Sequence, residues 1–342
     1  MNSAIKPQGG IGPIVALLIL SPLLGEVMFG AIRISAVGIF PLLIGTWGCA
    51  ALMIRYLIKI KPRFWAAGLF LGLALAVAEE CVIQQTSLAP LIGSDLSRPY
   101  GRNFGVNWHY LLWALGYEAL WVIWIPIRLT ELLFPGRRED PWIGRRGFII
   151  ATAVFGIFSL GAWYSWTRQF VPRYFPQYVY RPPTGAILIS LLAITALVYL
   201  GLKSPRESPG KAGVGLKAAP GLWKVGLTAF CWGLPWCGLV LVAYGAVPGL
   251  PPALSLVQGL VLAACGLLLF RRWKESGGWN TRHELAFIQG ALLASMVVGF
   301  ALLRLAQVPW ISIDIIGKLV LNLFAIKFLF KLGKLTALNQ DR

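Results

Sequence analysis

Four glutamates stand inside stretches of sequence that are otherwise apolar. Glu79 and Glu80 are adjacent within a long apolar run, and Glu26 and Glu118 lie in two similar runs. A charged side chain costs about 2.5 to 3.5 kcal/mol to insert into hydrocarbon, so such residues are the first candidates for function. Two adjacent carboxyl groups in a low dielectric cannot easily both ionise. One of them is therefore suited to proton exchange or to general-base chemistry.

Other polar side chains follow these carboxyl groups along the chain. Glu80 and Gln84 are four residues apart, so they would share one face of a helix, and Gln85 comes next. Arg102 lies in an arginine-rich and aromatic outer loop. The residues predicted to bind a ligand are Glu26, Gln84, Gln85, Glu118 and Arg102.

The same residues also allow a catalytic hypothesis. In an enzyme, Glu79 or Glu80 would act as the general base on water, and His109 would support the oxyanion or donate a proton. Gln84 would position the substrate. The spacing of histidines and cysteines does not match a metal site, so we expect no metal ion, and we expect no cofactor.

The elements that carry these residues are predicted to be membrane helices. The chain has 342 residues, of which 57% are hydrophobic and 13% charged, with a mean hydropathy of +0.71. Several apolar runs reach the ~20 residues needed to cross a ~30 Å hydrocarbon core. The sequence predicts an all-α polytopic bundle of ten spans, near residues 11–32, 36–57, 64–90, 107–130, 147–167, 184–202, 223–246, 251–270, 283–304 and 311–330.

The basic residues indicate the orientation of these spans. Of the 31 lysines and arginines, 23 fall on one side and seven on the other, while Lys318 lies within the last span and is expected to snorkel outward. The basic side, with both termini, is therefore predicted to be cytoplasmic, in a multi-pass protein of the inner membrane. The net charge of +18 then predicts contact with anionic lipid on the cytoplasmic side and not with nucleic acid.

Helical rise indicates how deep the glutamates lie. Glu26 and Glu79 are each about 15 residues, or roughly 22 Å, from the cytoplasmic start of their spans. Equal depth predicts that spans one, three and four contribute to one outward-facing polar cavity.

The chain is predicted to divide at one internal boundary. Residues 203–222 are rich in glycine, lysine, serine and proline, which is typical of a flexible basic linker on the cytoplasmic side. This linker would separate a six-helix region, residues 1–202, from a four-helix region, residues 223–342.

Two family resemblances accompany these observations. The chain resembles a family of bacterial polytopic membrane proteins to which no activity is assigned, in segments 21–26, 79–80, 100–102, 105–108, 131–135 and 141–147. It also resembles, at Glu79 and Glu80, the glutamate intramembrane proteases of the CAAX-processing and bacteriocin-processing type. That resemblance implies a glutamate that activates water and a histidine that supports the oxyanion. Gln84 stands where those proteases have arginine, and Phe104 is five residues before His109 instead of four.

Three functions are consistent with these patterns. The first is an outward-facing carboxylate cavity for ligand binding or proton-coupled transport, with a small molecule, a lipid or a peptide as the ligand. The second is a glutamate-dependent intramembrane hydrolase. The third is a membrane scaffold or assembly factor that uses its outer loops as partner surfaces.

Overall fold

The structure is a computed structural model of the chain, and it describes residues 10–60, 66–91, 100–176, 179–204, 218–247, 249–305 and 311–338. Most of these residues are helical. The helices are α1 (Gly12–Val27), α2 (Ile34–Ile60), α3 (Ala66–Ile83), α4 (Trp108–Leu133), α5 (Arg145–Tyr174), α6 (Thr184–Lys203), α7 (Leu222–Ala243), α8 (Pro252–Lys274), α9 (Thr281–Leu305) and α10 (Ile311–Leu338).

Eight of the described helices, α2 to α9, are long and apolar enough to cross a membrane. The chain is therefore an all-α, multi-pass membrane protein. The other two helices differ from these eight in length or charge. Helix α1 is apolar but shorter, and α10 has 28 residues but carries Asp314 and Lys318.

Helix α4 lies at the centre of the bundle. It contacts α1, α3, α7 and α8, and the side chain of Trp121 is completely buried. One hydrophobic core contains Leu17 of α1, Trp121, Trp236 of α7 and Leu292 of α9. The six-helix and four-helix regions therefore share a core. Most of the predicted linker between them lies outside the described residues.

The peripheral helices face the surrounding lipid. Only 17% of the most apolar stretch of α5 is buried, and only 11% in α6 and in α8, compared with 67% in α9. Without a membrane, such apolar surface would be exposed to water, so its size supports the assignment to a bilayer.

Two helices end earlier than the hydropathy predicts. Helix α1 ends at Val27 and not near residue 32, and α3 ends at Ile83 and not near residue 90. Gln85 has a left-handed φ of 60° and follows the end of α3, as in a helix C-cap. The chain from 86 to 91 is nevertheless buried. Hydropathy alone cannot distinguish such a buried turn from a continuing helix.

A short hairpin lies between this turn and α4. Its strands are β1 (Arg102–Asn103) and β2 (Val106–Asn107), and they pair antiparallel. The backbone N–H of Asn107 donates to the carbonyl of Ser87 at 2.9 Å. The side chain of Asn107 then accepts from the N–H of Tyr110, so it caps α4. The hairpin thus joins the C-terminal end of α3 to the N-terminal end of α4.

Candidate functional site

Each of the four membrane glutamates lies in a π-helical segment. Glu26 is in the segment Leu23–Val27, Glu79 and Glu80 begin the segment Glu79–Ile83, and Glu118 begins the segment Glu118–Trp124. A π-helical turn adds a residue to the helix and rotates the side chains that follow, and such turns are frequent at functional sites. Periodicity of 3.6 residues therefore does not predict where these carboxyl groups point.

Small residues allow the three segments to approach one another. A Cβ atom added to Gly25 would lie 2.6 Å from Cγ2 of Val122, and one added to Gly72 would lie 3.1 Å from Cα of Ala119. Helix α4 is thus in close contact with α1 on one side and with α3 on the other. The glutamates of all three helices are brought to one place.

Glu26, Glu79, Glu80 and Glu118 form what we call the carboxyl cluster. Glu79 interacts electrostatically with Glu80 and Glu26, and Glu118 interacts with the other three. Glu79, Glu80 and Glu118 are at most 5% exposed, and Glu26 is half-buried. Helices α1 and α3 are thus both adjacent to α4, while the outward-facing cavity stays a prediction.

Glu80 has the most hydrogen bonds in the cluster. Its Oε2 atom accepts from the hydroxyls of Thr86 at 2.5 Å and Ser87 at 2.6 Å, both in the turn after α3. Its carboxyl group also interacts with that of Glu118 on the neighbouring helix. Two carboxyl groups can form a hydrogen bond with each other only when one of them carries a proton. The pair between α3 and α4 is therefore a candidate proton-binding site.

Glu79 has unused hydrogen-bonding capacity. Neither of its carboxyl oxygens has a hydrogen-bond partner among the described residues, and Oε2 of Glu118 has none either. The side chain of Gln84 interacts with Glu79 but does not reach hydrogen-bonding geometry. An orphaned buried acceptor is costly unless a ligand, a proton or water satisfies it.

The cluster contains no balancing positive charge. In the described part of the chain, none of its four carboxyl groups forms a salt bridge with lysine, arginine or histidine. Nor do the described residues include three or more histidine, cysteine, aspartate or glutamate side chains arranged to hold a metal ion.

Three tyrosines that the sequence analysis did not identify surround the cluster. Tyr110 interacts electrostatically with Glu80, and so does Tyr244 of the loop after α7. The hydroxyl of Tyr117 donates to the carbonyl of Gly25 at 2.7 Å. Tyr110 and Tyr117 are seven residues apart and so share a helix face, which is the signal that could have identified them.

His109 lies away from the cluster. Its Nε2 atom is 2.8 Å from the carbonyl of Pro252 and 2.5 Å from Oγ of Ser255, at the start of α8. The hydroxyl of Tyr100 lies 2.9 Å from the same Oγ atom. Gly101 lies against Nδ1 of His109, since a Cβ atom added to Gly101 would be 1.9 Å from that nitrogen. The described hydrogen bonds of His109 are thus with the start of α8, and none is with Glu79 or Glu80.

The described hydrogen bonds of Arg102 and Gln85 join the turn after α3 to nearby loops. Arg102 donates to the carbonyls of Leu88, Ala89 and Gly105. Gln85 donates to its own helix end and accepts from the hydroxyl of Tyr180 at 2.8 Å. Backbone groups and a loop tyrosine thus occupy these polar atoms, and the ligand-binding role of the two residues stays a prediction.

Lys318 does not snorkel. It is 1% exposed, and its ammonium group donates to the carbonyl of Met28, which lies just beyond the end of α1. Gly30 and Gly299 make room for it, since Cβ atoms at these positions would lie 3.3 and 2.5 Å from Nζ. The lysine therefore satisfies one of the free carbonyls at a helix C-terminus.

Comparison of the chain with protein-family models, with curated proteins and with solved structures gave no match. Function is therefore inferred from the geometry of the carboxyl cluster.

Proposed function

We propose that the carboxyl cluster is a proton-binding and ligand-binding site within the membrane, and that the protein binds or transports its ligand in exchange for protons. We place this site toward the outer face of the cytoplasmic membrane of a bacterium. All ten helices then cross the bilayer, with both termini and the more basic loops in the cytoplasm.

The observation that carries the proposal is the convergence of four carboxyl groups without a positively charged partner among the described residues. Groups that merely join helices usually satisfy one another, as polar side chains in bundles often do. Here the carboxyl oxygens of Glu79 are left without hydrogen-bond partners. Such unsatisfied acceptors favour a ligand that donates hydrogen bonds or carries positive charge.

The chemistry of the exchange follows from the separate surroundings of the glutamates. The carboxyl groups of Glu80 and Glu118 interact, and we propose that they hold one proton between them. A cationic or hydrogen-bond-donating ligand next to Glu79 would stabilise ionised carboxylates, so its arrival favours release of that proton. Glu26 is the most exposed of the four glutamates, so the ligand and protons would reach the cluster from its side.

The hydrolase hypothesis has less support. It requires His109 beside the glutamates, whereas the imidazole is hydrogen-bonded to the start of α8. The scaffold hypothesis requires no chemistry at the cluster, and it leaves the cost of burying four carboxyl groups without a function to offset it.

Labelling with dicyclohexylcarbodiimide tests the proposal, because this apolar reagent reacts with protonated carboxyl groups in membranes. We expect Glu80 or Glu118 to be modified in the protein in lipid, with less modification as the pH rises. We expect the double variant Glu80→Gln, Glu118→Gln to lose most of the labelling. Mass spectrometry of the intact protein and of its peptides measures both effects.

Glu139 provides the internal control. It lies in the loop between α4 and α5 and is 80% exposed. Desolvation opposes its ionisation, but the hydrogen bond from Lys59 and nearby positive charges hold the pKa of Glu139 below its usual value. It should therefore remain unlabelled. Equal labelling of the wild type and the double variant, or none at any pH, would contradict a proton-holding cluster.

A further inference from the structure

A cavity between α7, α9 and α10 lies away from the carboxyl cluster. It has a volume of about 560 Å³. Leu227 and Phe230 of α7 line one wall, Leu293 of α9 lines another, and Gly333 of α10 lies on the third side. Arg282 stands at one end, at the start of α9. We call this cavity the basic-end groove.

Glycines shape the groove. Helices α7 and α9 pack so closely that a Cβ atom added to Gly290 would lie 2.1 Å from the carbonyl oxygen of Gly226. On the opposite side, a Cβ atom at Gly333 would meet only Nε2 of Gln289 at 3.7 Å and Cδ2 of Leu285 at 3.9 Å. The groove is thus closed at its base by tight packing and left open beside α10.

The length of the groove matches one leaflet of a bilayer. From Arg282 to Leu293 is eleven residues of α9, or about 16 Å of helix. The hydrocarbon core of a membrane is ~30 Å thick, so one acyl chain occupies about half of that distance. The apolar part of the groove therefore has the length of a single lipid tail.

The end of the groove at Arg282 is positively charged. Arg282 is exposed, and its guanidinium group has no hydrogen-bond or salt-bridge partner among the residues that the structure describes. Lys224 follows the groove residue Trp223, and Lys334 follows Gly333. The neighbouring acid Glu284 is already paired with Arg128 and Arg138 and does not neutralise this end.

We propose that the basic-end groove is a binding site for one anionic phospholipid. Arg282 receives the phosphate group, and one acyl chain lies along Leu227, Phe230 and Leu293. Basic pockets between helices at the charged side of a membrane protein are suited to such headgroups. This site is independent of the carboxyl cluster, so either proposal can fail without the other.

Native mass spectrometry of the whole protein tests the site. The detergent-purified protein is titrated with phosphatidylglycerol and, separately, with phosphatidylcholine of the same acyl chains. We expect the wild type to bind one phosphatidylglycerol molecule more tightly than phosphatidylcholine. Arg282→Gln should reduce that preference about fivefold, the factor expected from losing one basic side chain near a headgroup.

Two further variants distinguish the contribution of the apolar groove to lipid binding from that of positive charge. Gly333→Leu places a side chain in the apolar part without a clash at Cβ, and we expect it to weaken binding of both lipids. Arg146→Gln is the matched control, because Arg146 is an exposed arginine at the start of α5, outside the groove. It should leave the preference unchanged.

Three results would overturn the proposal, two of them in the groove variants. One is an unchanged preference for phosphatidylglycerol in Arg282→Gln. The other is undiminished lipid binding in Gly333→Leu when that variant is folded, as judged by its thermal transition. A preference that falls equally in Arg146→Gln would also overturn it, because the attraction would then be a property of the whole basic surface.

Discussion

Buried charges are arranged differently toward the two ends of the helices. Toward the basic end, Arg128 pairs with Glu131 and Glu284, and Glu131 also pairs with Arg55. Positive and negative charges there compensate one another, which limits the cost of removing them from water. The carboxyl cluster has no such compensation among the described residues. Its charges are therefore the ones that a proton or a ligand must balance.

Arg55 is expected to be the most sensitive residue of the paired network. It is 1% exposed, donates to the carbonyls of Asp140 at 2.8 Å and Arg138 at 2.7 Å, and lies 3.4 Å from the ring centre of Trp142. Arg55→Leu should lower the free energy of unfolding by about 2 to 4 kcal/mol, because two carbonyls and Glu131 lose a buried charged partner. A thermal transition in detergent measures this loss.

Arg271 serves as the comparison for that experiment. It pairs with Glu275 at 3.0 Å, but both side chains are more than half exposed. Exposed pairs contribute at most about 1 kcal/mol, so Arg271→Leu should leave the transition almost unchanged. Equal effects of the two substitutions would show that burial does not determine the strength of these interactions.

At the scale of the helices, close approach and π-helical segments decide where side chains meet. Three π-helical segments hold the four glutamates of the cluster. Glycine provides the close contacts between neighbouring helices, at Gly25 beside Val122 and at Gly290 beside Gly226. In a membrane, where lipid is as apolar as leucine, such contacts drive helix association through packing.

A pair of glycines on adjacent helices tests this dependence on packing. Gly290→Ala would place Cβ against the backbone of α7, so we expect a loss of roughly 1 to 3 kcal/mol in unfolding free energy. Gly238 of α7 has no atom within 4 Å of an added Cβ. Gly238→Ala should therefore be neutral or slightly stabilising, since alanine favours the helix by up to about 1 kcal/mol. The reverse order of stabilities, measured by thermal unfolding, would disprove the α7–α9 contact.

At the scale of the whole molecule, aromatic rings join the two halves of the chain. Consecutive rings from α4 to α7 stack at 5.4 to 5.9 Å, and the ring of Phe29, just after α1, packs on the same row. The stacked rings are Tyr117, Trp121, Trp232 and Trp236. Because these contacts cross the predicted boundary at residues 203–222, we expect both halves to be required for a stable fold.

The orientation in the membrane can be tested from the two ends of the bundle. In a variant whose five native cysteines are replaced, Phe104→Cys and Gly136→Cys each place one thiol at an exposed position. Phe104 lies in the hairpin and Gly136 in the basic loop after α4. A membrane-impermeant maleimide should label Phe104→Cys in intact cells and Gly136→Cys only after permeabilisation. The opposite pattern would reverse the proposed topology.

Reasoning from single segments predicts the class of the protein and the depth of its glutamates. An apolar run must be about 20 residues long to cross a bilayer, and this requirement acts on each segment separately, so the helices could be predicted one at a time. Depth also follows from position along one helix, which is why Glu26 and Glu79 could be placed at the same height.

Only the tertiary structure decided which partner each polar side chain has. Hydropathy does not specify neighbouring helices, because lipid and apolar protein surfaces are chemically alike. A π-helical turn rotates the side chains that follow it onto another face of the helix. The buried turn after α3 is as apolar as a helix, so hydropathy placed the end of α3 too late. His109 and Lys318 accordingly bind groups far away in sequence, at the start of α8 and beyond the end of α1. Such contacts depend on how helices pack, which no single segment of the chain encodes.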